Sequence, residues 1–228
     1  MMSRFEVGRI AGIPIFLDMM FVLILILFTF PYFTSGDSQL VSAGVIVIIG
    51  LLASILFHEL GHAFAGRLFK ANVTHIELTG IGGLAHFERS LPPSALARTI
   101  IFLSGPAVNL VLWLGLGELA AWSGDTGKTM LSFALFQLAT SNLYLLIFNL
   151  LPAYPLDGGQ TLDAWFGKLF GSIRAVRIVA SLGVIIAALL AFTALPGANI
   201  WRLFLAFFLF QANWEALQSV GGWGGRRR

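Results

Sequence analysis

Six stretches of this chain are apolar over the roughly 20 residues a helix needs to cross a hydrocarbon core about 30 Å thick, which leaves little room for anything but a bundle of membrane spans. They lie at about 15–33, 40–66, 95–122, 129–151, 175–195 and 200–219. Turn chemistry separates several of them: Ser35, Gly36 and Asp37, then Ser123, Gly124 and Asp125, then Pro196 and Gly197. A composition of 57% hydrophobic and only 11% charged residues over 228 positions fits no ordinary soluble domain. The expected fold is an all-α polytopic membrane protein of about six transmembrane helices, read as one domain over 1–228, with no tandem repeat.

The basic residues are distributed unevenly about these spans. With a cytosolic N-terminus, Arg4, Arg9, Arg67, Lys70, Arg89, Arg98, Lys168, Arg174, Arg177, Arg226, Arg227 and Arg228 fall on the cytosolic side, and only Lys128 and Arg202 on the other. This is the asymmetry the positive-inside rule describes, and an even number of spans puts both termini in the cytoplasm of a multi-pass cell-membrane protein. The excess positive charge is therefore topological. No basic stretch interleaved with aromatics points to nucleic acid. The N-terminal segment is interrupted by Glu6, Arg9 and two glycines, so it lacks the apolar run of a signal peptide, and the first span is expected to be retained.

Two segments do not read as helix. Residues 5–16 (FEVGRIAGIPIF) are punctuated by Gly and Pro and partly alternate, as a short hairpin does. Residues 72–88 (NVTHIELTGIGGLAHFE) carry β-branched Val73, Thr74, Ile76 and Thr79, then the Gly80, Gly82, Gly83 cluster, then a second strand. Short membrane-associated strands are thus expected near the N-terminus and between the second and third spans.

The second span contains FHELGHAFAG. His58 and His62, four residues apart on a helix, share a face and can bind one metal, with Glu59 beside them to activate water. Ionisable side chains in an apolar span cost several kcal/mol unless paired or metallated, so their presence is a functional signal. The chain has no cysteine, so a metal must be held by His and carboxylate. His58 precedes Arg67 by nine positions, which at 1.5 Å per residue puts it roughly 13 Å inside the helix end, in the cytosolic half of the bilayer.

Catalytic zinc usually takes three protein ligands and a water, so a third ligand is required. The strongest candidate is Asp157 in NLLPAYPLDGG, where Pro152, Pro155, Gly158 and Gly159 break the fourth span near the same side of the membrane. Asp163 is the alternative, farther toward the charged loop.

HELGH at 58–62, GPAVN at 105–109 and NLLPAYPLDGG at 149–159, with GRIAGIPI near the N-terminus and the Gly82–Gly83 strand, together resemble the site-2 protease family of intramembrane zinc metalloproteases over essentially the whole chain. The resemblance implies one Zn2+ per chain held by His58, His62 and Asp157, with Glu59 as general base and Asn149 as a polar aid to substrate or oxyanion. It implies peptide-bond hydrolysis in or near transmembrane segments of membrane-anchored substrates, of the anti-sigma-factor or transcription-factor-precursor kind. Unlike many relatives, the sequence shows no PDZ insertion and no CBS pair after the last span, so a compact form is expected.

A transmembrane substrate hides its carbonyls in helical hydrogen bonds and has to unwind before attack. Gly82, Gly83, Leu84, Ala85 and His86 are expected to bind it, as a strand edge on which unwound substrate pairs. Asn109 and Asn142 are expected to line the cavity or to bond between helices. His75 and His86 read as cavity or interface residues rather than ligands. Two rival functions remain: a non-catalytic membrane binding protein of the same fold, against which the intact His58, Glu59, His62 and Asp157 argue, and an ion transporter, which calls for paired broken helices in repeated halves.

Overall fold

Ala11 and Gly12 adopt φ of 50° and 81°, the successive positive values of a tight two-residue hairpin turn. The chain accordingly doubles back from β1 (Arg4–Ile10) to β2 (Ile13–Asp18). A computed structural model describes residues 4–80, 82–88, 91–197 and 199–221; Arg89 and the basic C-terminal arginines lie outside them. A second hairpin, β3 (Val73–Thr79) and β4 (Gly82–Phe87), pairs with the first through parallel β2 and β3, giving one sheet in the order β1-β2-β3-β4. Both expected strand segments are present, and the structure adds that they join.

Among the described residues, seven helices follow the strands or lie between them: α1 (Met19–Phe33), α2 (Ser38–Leu68), α3 (Ala95–Asp125), α4 (Thr129–Asn149), α5 (Asp157–Phe170), α6 (Ser172–Ala194) and α7 (Ile200–Val220). Of these, α2, α3, α4 and α6 are long and apolar enough to cross a membrane. Large apolar side chains such as Ile49, Val111, Phe136 and Phe192 are exposed along them, as expected where lipid rather than water is the neighbour. The chain is a multi-pass membrane protein.

Two features depart from the expected boundaries. The first span was placed from about 15, but β2 continues to Asp18 and the helix begins at Met19. The reason is a cap: the Asp18 carboxylate accepts from the Met20 backbone N–H at 2.9 Å, which defines a helix start and is worth about 1 kcal/mol. The resulting 15-residue α1 is about 23 Å long. Second, α5 is not among the expected helices, because Pro152, Pro155, Gly158 and Gly159 read as breakers. In the structure the prolines precede the helix, where proline is tolerated, and Asp157 opens its first turn, where a negative charge favours the helix dipole.

The described chain divides into two compact units, one of 1–92 with 104–147 and one of 93–103 with 148–228. In the first, the inner face of the sheet packs on α1 and α2: Ile13, Val73, Ile76 and Leu78 meet Phe21, Leu25, Leu60 and Ala63 in one buried cluster. Leu60 belongs to HELGH itself. In the second, Ala153 and Leu156 from the α4–α5 loop are buried with Ala187 of α6 and Leu209 of α7.

That loop folds tightly over the start of α5. A Cβ on Gly158 would stand 2.3 Å from the Leu150 carbonyl oxygen, and one on Gly159 would stand 2.4 Å from that of Ala153. Both contacts are to backbone, which cannot swing aside. Gly158→Ala and Gly159→Ala are therefore each expected to lower the unfolding temperature of the detergent-solubilised protein by several degrees, whereas Gly167→Ala, with open space around it, should not; thermal unfolding followed by circular dichroism checks this.

Candidate metal centre

The helical spacing of His58 and His62 does what four residues on a helix should do: the two Nε2 atoms face each other at 3.1 Å, and both side chains are buried. Nitrogens held about 2.0–2.1 Å from one tetrahedral zinc are about 3.3 Å apart, so the pair already has the separation that a shared ion requires.

The hydrogen-bond polarity behind His58 decides which nitrogen is available. Ser54 Oγ donates to the Gly50 carbonyl at 2.8 Å, so it accepts from Asn142 Nδ2 at 2.9 Å. Asn142 Nδ2 also donates to the Leu138 carbonyl, and Asn142 Oδ1 accepts from Asn109 Nδ2 at 2.9 Å. Asn109 Oδ1 therefore faces His58 Nδ1, 2.5 Å away, as an acceptor. The proton sits on Nδ1, and the Nε2 lone pair points toward His62. Fixing a ligand imidazole through its other nitrogen is the usual supporting arrangement at a metal site.

Asn109 and Asn142, expected to line the cavity or to bond between helices, are fully buried and bond to one another across α3 and α4, in this chain behind the histidine. Gly105 lies one turn before Asn109 on α3, and a Cβ there would stand 2.4 Å from His62 Nε2 and 2.6 Å from His58 Nε2. GPAVN thus has two parts on one helix face: a glycine that leaves room at the imidazoles and an amide that orients one of them. The i, i+4 spacing was the available signal, and the identity of its partner was not.

Glu59 is buried and lies against β4, since a Cβ on Gly83 would stand 2.3 Å from its Cγ and 2.5 Å from its Oε1. The packing of the inner sheet face on Leu60 and Ala63 accounts for this approach. The start of β4 and the HELGH carboxylate are neighbours, with Leu84 exposed beyond them.

Asn149 and Asp157 belong to the second unit. Asn149 is the last residue of α4, and Asp157 is the first of α5. The alternative ligand, Asp163, is engaged by Arg98 Nη2 at 3.3 Å. A residue not anticipated from sequence holds the loop that carries Asp157. Asn213 of α7, fully buried, accepts from the Tyr154 N–H at 2.9 Å and donates to the Tyr154 carbonyl at 2.8 Å, so one side-chain amide satisfies both backbone groups of a loop residue in an apolar setting. An asparagine in an apolar span was its only mark in the sequence.

A family model described as peptidase family M50 matches residues 46–120 and 117–192. The chain is 29% identical, over 89% of its length, to a zinc metalloprotease of Methanocaldococcus jannaschii, of which it covers 57%. It is 31% identical, over 92% of its length, to a Synechocystis protein named as a candidate zinc metalloprotease, of which it covers 59%. The chain therefore spans somewhat more than half the length of these curated relatives. The solved site-2 protease from Methanocaldococcus jannaschii is similar in fold, with a TM-score of 0.69 at 24% identity and coverage of 94% of this chain and 95% of that one. The imidazole pair thus has a zinc-binding separation, and the relatives are named for zinc.

Removing the acceptor on His58 Nδ1 should loosen the metal without unfolding the helices. Asn109→Ala is expected to weaken zinc binding about 10–100-fold, read by competition with a chromophoric chelator, with helical circular dichroism unchanged. Unaltered affinity would show that the hydrogen-bond chain does not orient the ligand.

Proposed function

The chain belongs to peptidase family M50, and from that premise we propose that it hydrolyses peptide bonds in or near the transmembrane segments of membrane-anchored proteins. In this reading His58, His62 and Asp157 hold the zinc, and Glu59 is the general base. The observation that carries it is the juxtaposition, within one unit, of the converging imidazole pair, the Glu59 carboxylate and the start of an edge strand.

Bound at this site, zinc polarises a substrate carbonyl and lowers the pKa of water. Glu59, beside the ligands and shielded by Gly83, takes the proton from the attacking water and returns it to the leaving amine. Asn149 offers an amide to the substrate or to the oxyanion. Asp157, rather than Asp163, is favoured as third ligand because Asp163 is held by Arg98.

β4 ends the described sheet, paired with β3 on one side only. An unwound substrate segment can pair along its other edge, as strands add to exposed sheet edges elsewhere. Gly82 and Gly83 keep side chains away from Glu59 there, while Leu84, Ala85 and His86 continue the edge. The charge count along the chain supports a reading with both termini in the cytoplasm and the site in the cytosolic half of the bilayer. Substrates of the anti-sigma-factor or transcription-factor-precursor kind fit a protease that opens a span near its cytosolic end.

Two measurements test this. Purified protein incubated with a single-span substrate should lose cleavage on Glu59→Gln by about 10²–10⁴-fold while keeping its zinc; an unchanged rate would remove the catalytic assignment. Successive backbone N–H groups on a strand point to opposite sides, so one of Leu84→Pro and Ala85→Pro strikes the open edge and leaves the β3 ladder intact. That variant should retain zinc and stability yet cleave slowly, and parental cleavage by both would eliminate pairing on β4.

A further inference from the structure

The outer face of the sheet carries a second group of metal-binding side chains. On β3, Ile76 and Leu78 point into the core and are buried, so His75 and Glu77 point the other way. A bulge between Val73 and His75 resets the alternation, because Val73 is also buried; without the extra residue His75 would face inward. Bulges recur where a strand re-aims a side chain. His86 of β4 is the cross-strand partner of His75.

The hydrogen bonds of this group leave one nitrogen as a bare acceptor. Thr74 Oγ1 donates to the His86 carbonyl at 3.0 Å, so toward His75 Nδ1, also at 3.0 Å, it can only accept. The His75 proton is on Nδ1, and Nε2 presents a lone pair. That atom is buried and has no hydrogen-bond partner, an arrangement that in a native protein calls for an explanation. Opposite it, His86 Nε2 lies 3.1 Å from Glu77 Oε2, while Arg4 engages Oε1 at 3.6 Å. Ligand atoms of His75, Glu77 and His86 all fall within 4.8 Å of one another.

We propose that His75, Glu77 and His86 form a second divalent transition-metal site, separate from the HELGH centre. Two imidazole nitrogens and one carboxylate oxygen suit zinc or its neighbours better than calcium or magnesium, which prefer all-oxygen sets. Phe16 of β2 meets His75 edge-on at 5.4 Å and walls off one side. The His75 and His86 rings are stacked at 4.3 Å and 11°, whereas an ion lies in the plane of each ring it binds, so one ring turns on binding. His86 turns, because His75 is held by Thr74 and Phe16, and His86 exchanges its hydrogen bond to Glu77 for a shared metal. The ion then ties β3 to β4.

Equilibrium dialysis of the full chain against Zn2+, read by elemental analysis, tests the site without reference to proteolysis. The parent should hold two ions per chain, and so should Glu59→Gln. His75→Gln and His86→Leu should each hold one, and His86→Asp, which restores a ligand, should hold two again. In a His58→Gln/His62→Gln background, zinc should still raise the unfolding temperature, and His86→Leu should abolish that rise. One ion in the parent, or two in both His75→Gln and His86→Leu, would overturn the proposal. A variant that misfolds is identified by its metal-free unfolding curve, and the His86→Asp rescue then decides.

Discussion

A hydrogen-bond direction set by one backbone carbonyl underlies the metal centre. In an apolar helix bundle no water is at hand to satisfy a buried amide or imidazole, so each polar group has to find a protein partner. Ser54 bonds its own helix at Gly50, and from there the donor and acceptor roles of Asn142, Asn109 and His58 follow in order. The chain links α2, α3 and α4 and ends by presenting the His58 lone pair to His62. Packing and chemistry are thus the same interaction: the amides that hold three helices together also select the tautomer that can bind zinc.

The small sheet works by having two different faces. Its inner face is apolar and packs on α1 and α2 at the level of Leu60 and Ala63, which brings the glycines at the start of β4 against Glu59. Its outer face is polar and aromatic, with Arg4, Phe16, His75, Glu77 and His86 in mutual contact. A one-residue bulge separates the two arrangements, since strand alternation would otherwise carry His75 into the core.

In the second unit the α4–α5 loop is shaped by backbone contacts and by one amide. Gly158 and Gly159 admit the carbonyls of Leu150 and Ala153 where any side chain would collide. Asn213 closes both backbone groups of Tyr154 from α7. The first residue of α5 is consequently presented from a loop whose own polar groups are largely answered, a condition for irregular backbone at membrane depth.

Much of this was readable from residue order alone, for physical reasons. Membrane insertion follows from length and apolarity, and the HELGH pair follows from the 3.6-residue period, because both depend on neighbours along the chain. The two hairpins were marked by Gly, Pro and β-branched residues for the same reason. What residue order could not supply was anything that depends on a partner far away in sequence: that the hairpins pair into one sheet, that Asn109 bonds to His58 in particular, that Asn213 holds Tyr154, and that Arg98 occupies Asp163. A buried asparagine carries two donors and an acceptor whatever its surroundings. The sequence by itself determined that such groups lie within apolar spans and must be satisfied; only the tertiary structure decided by whom, because hydrogen bonds are directional and short and their partners are chosen by helix packing.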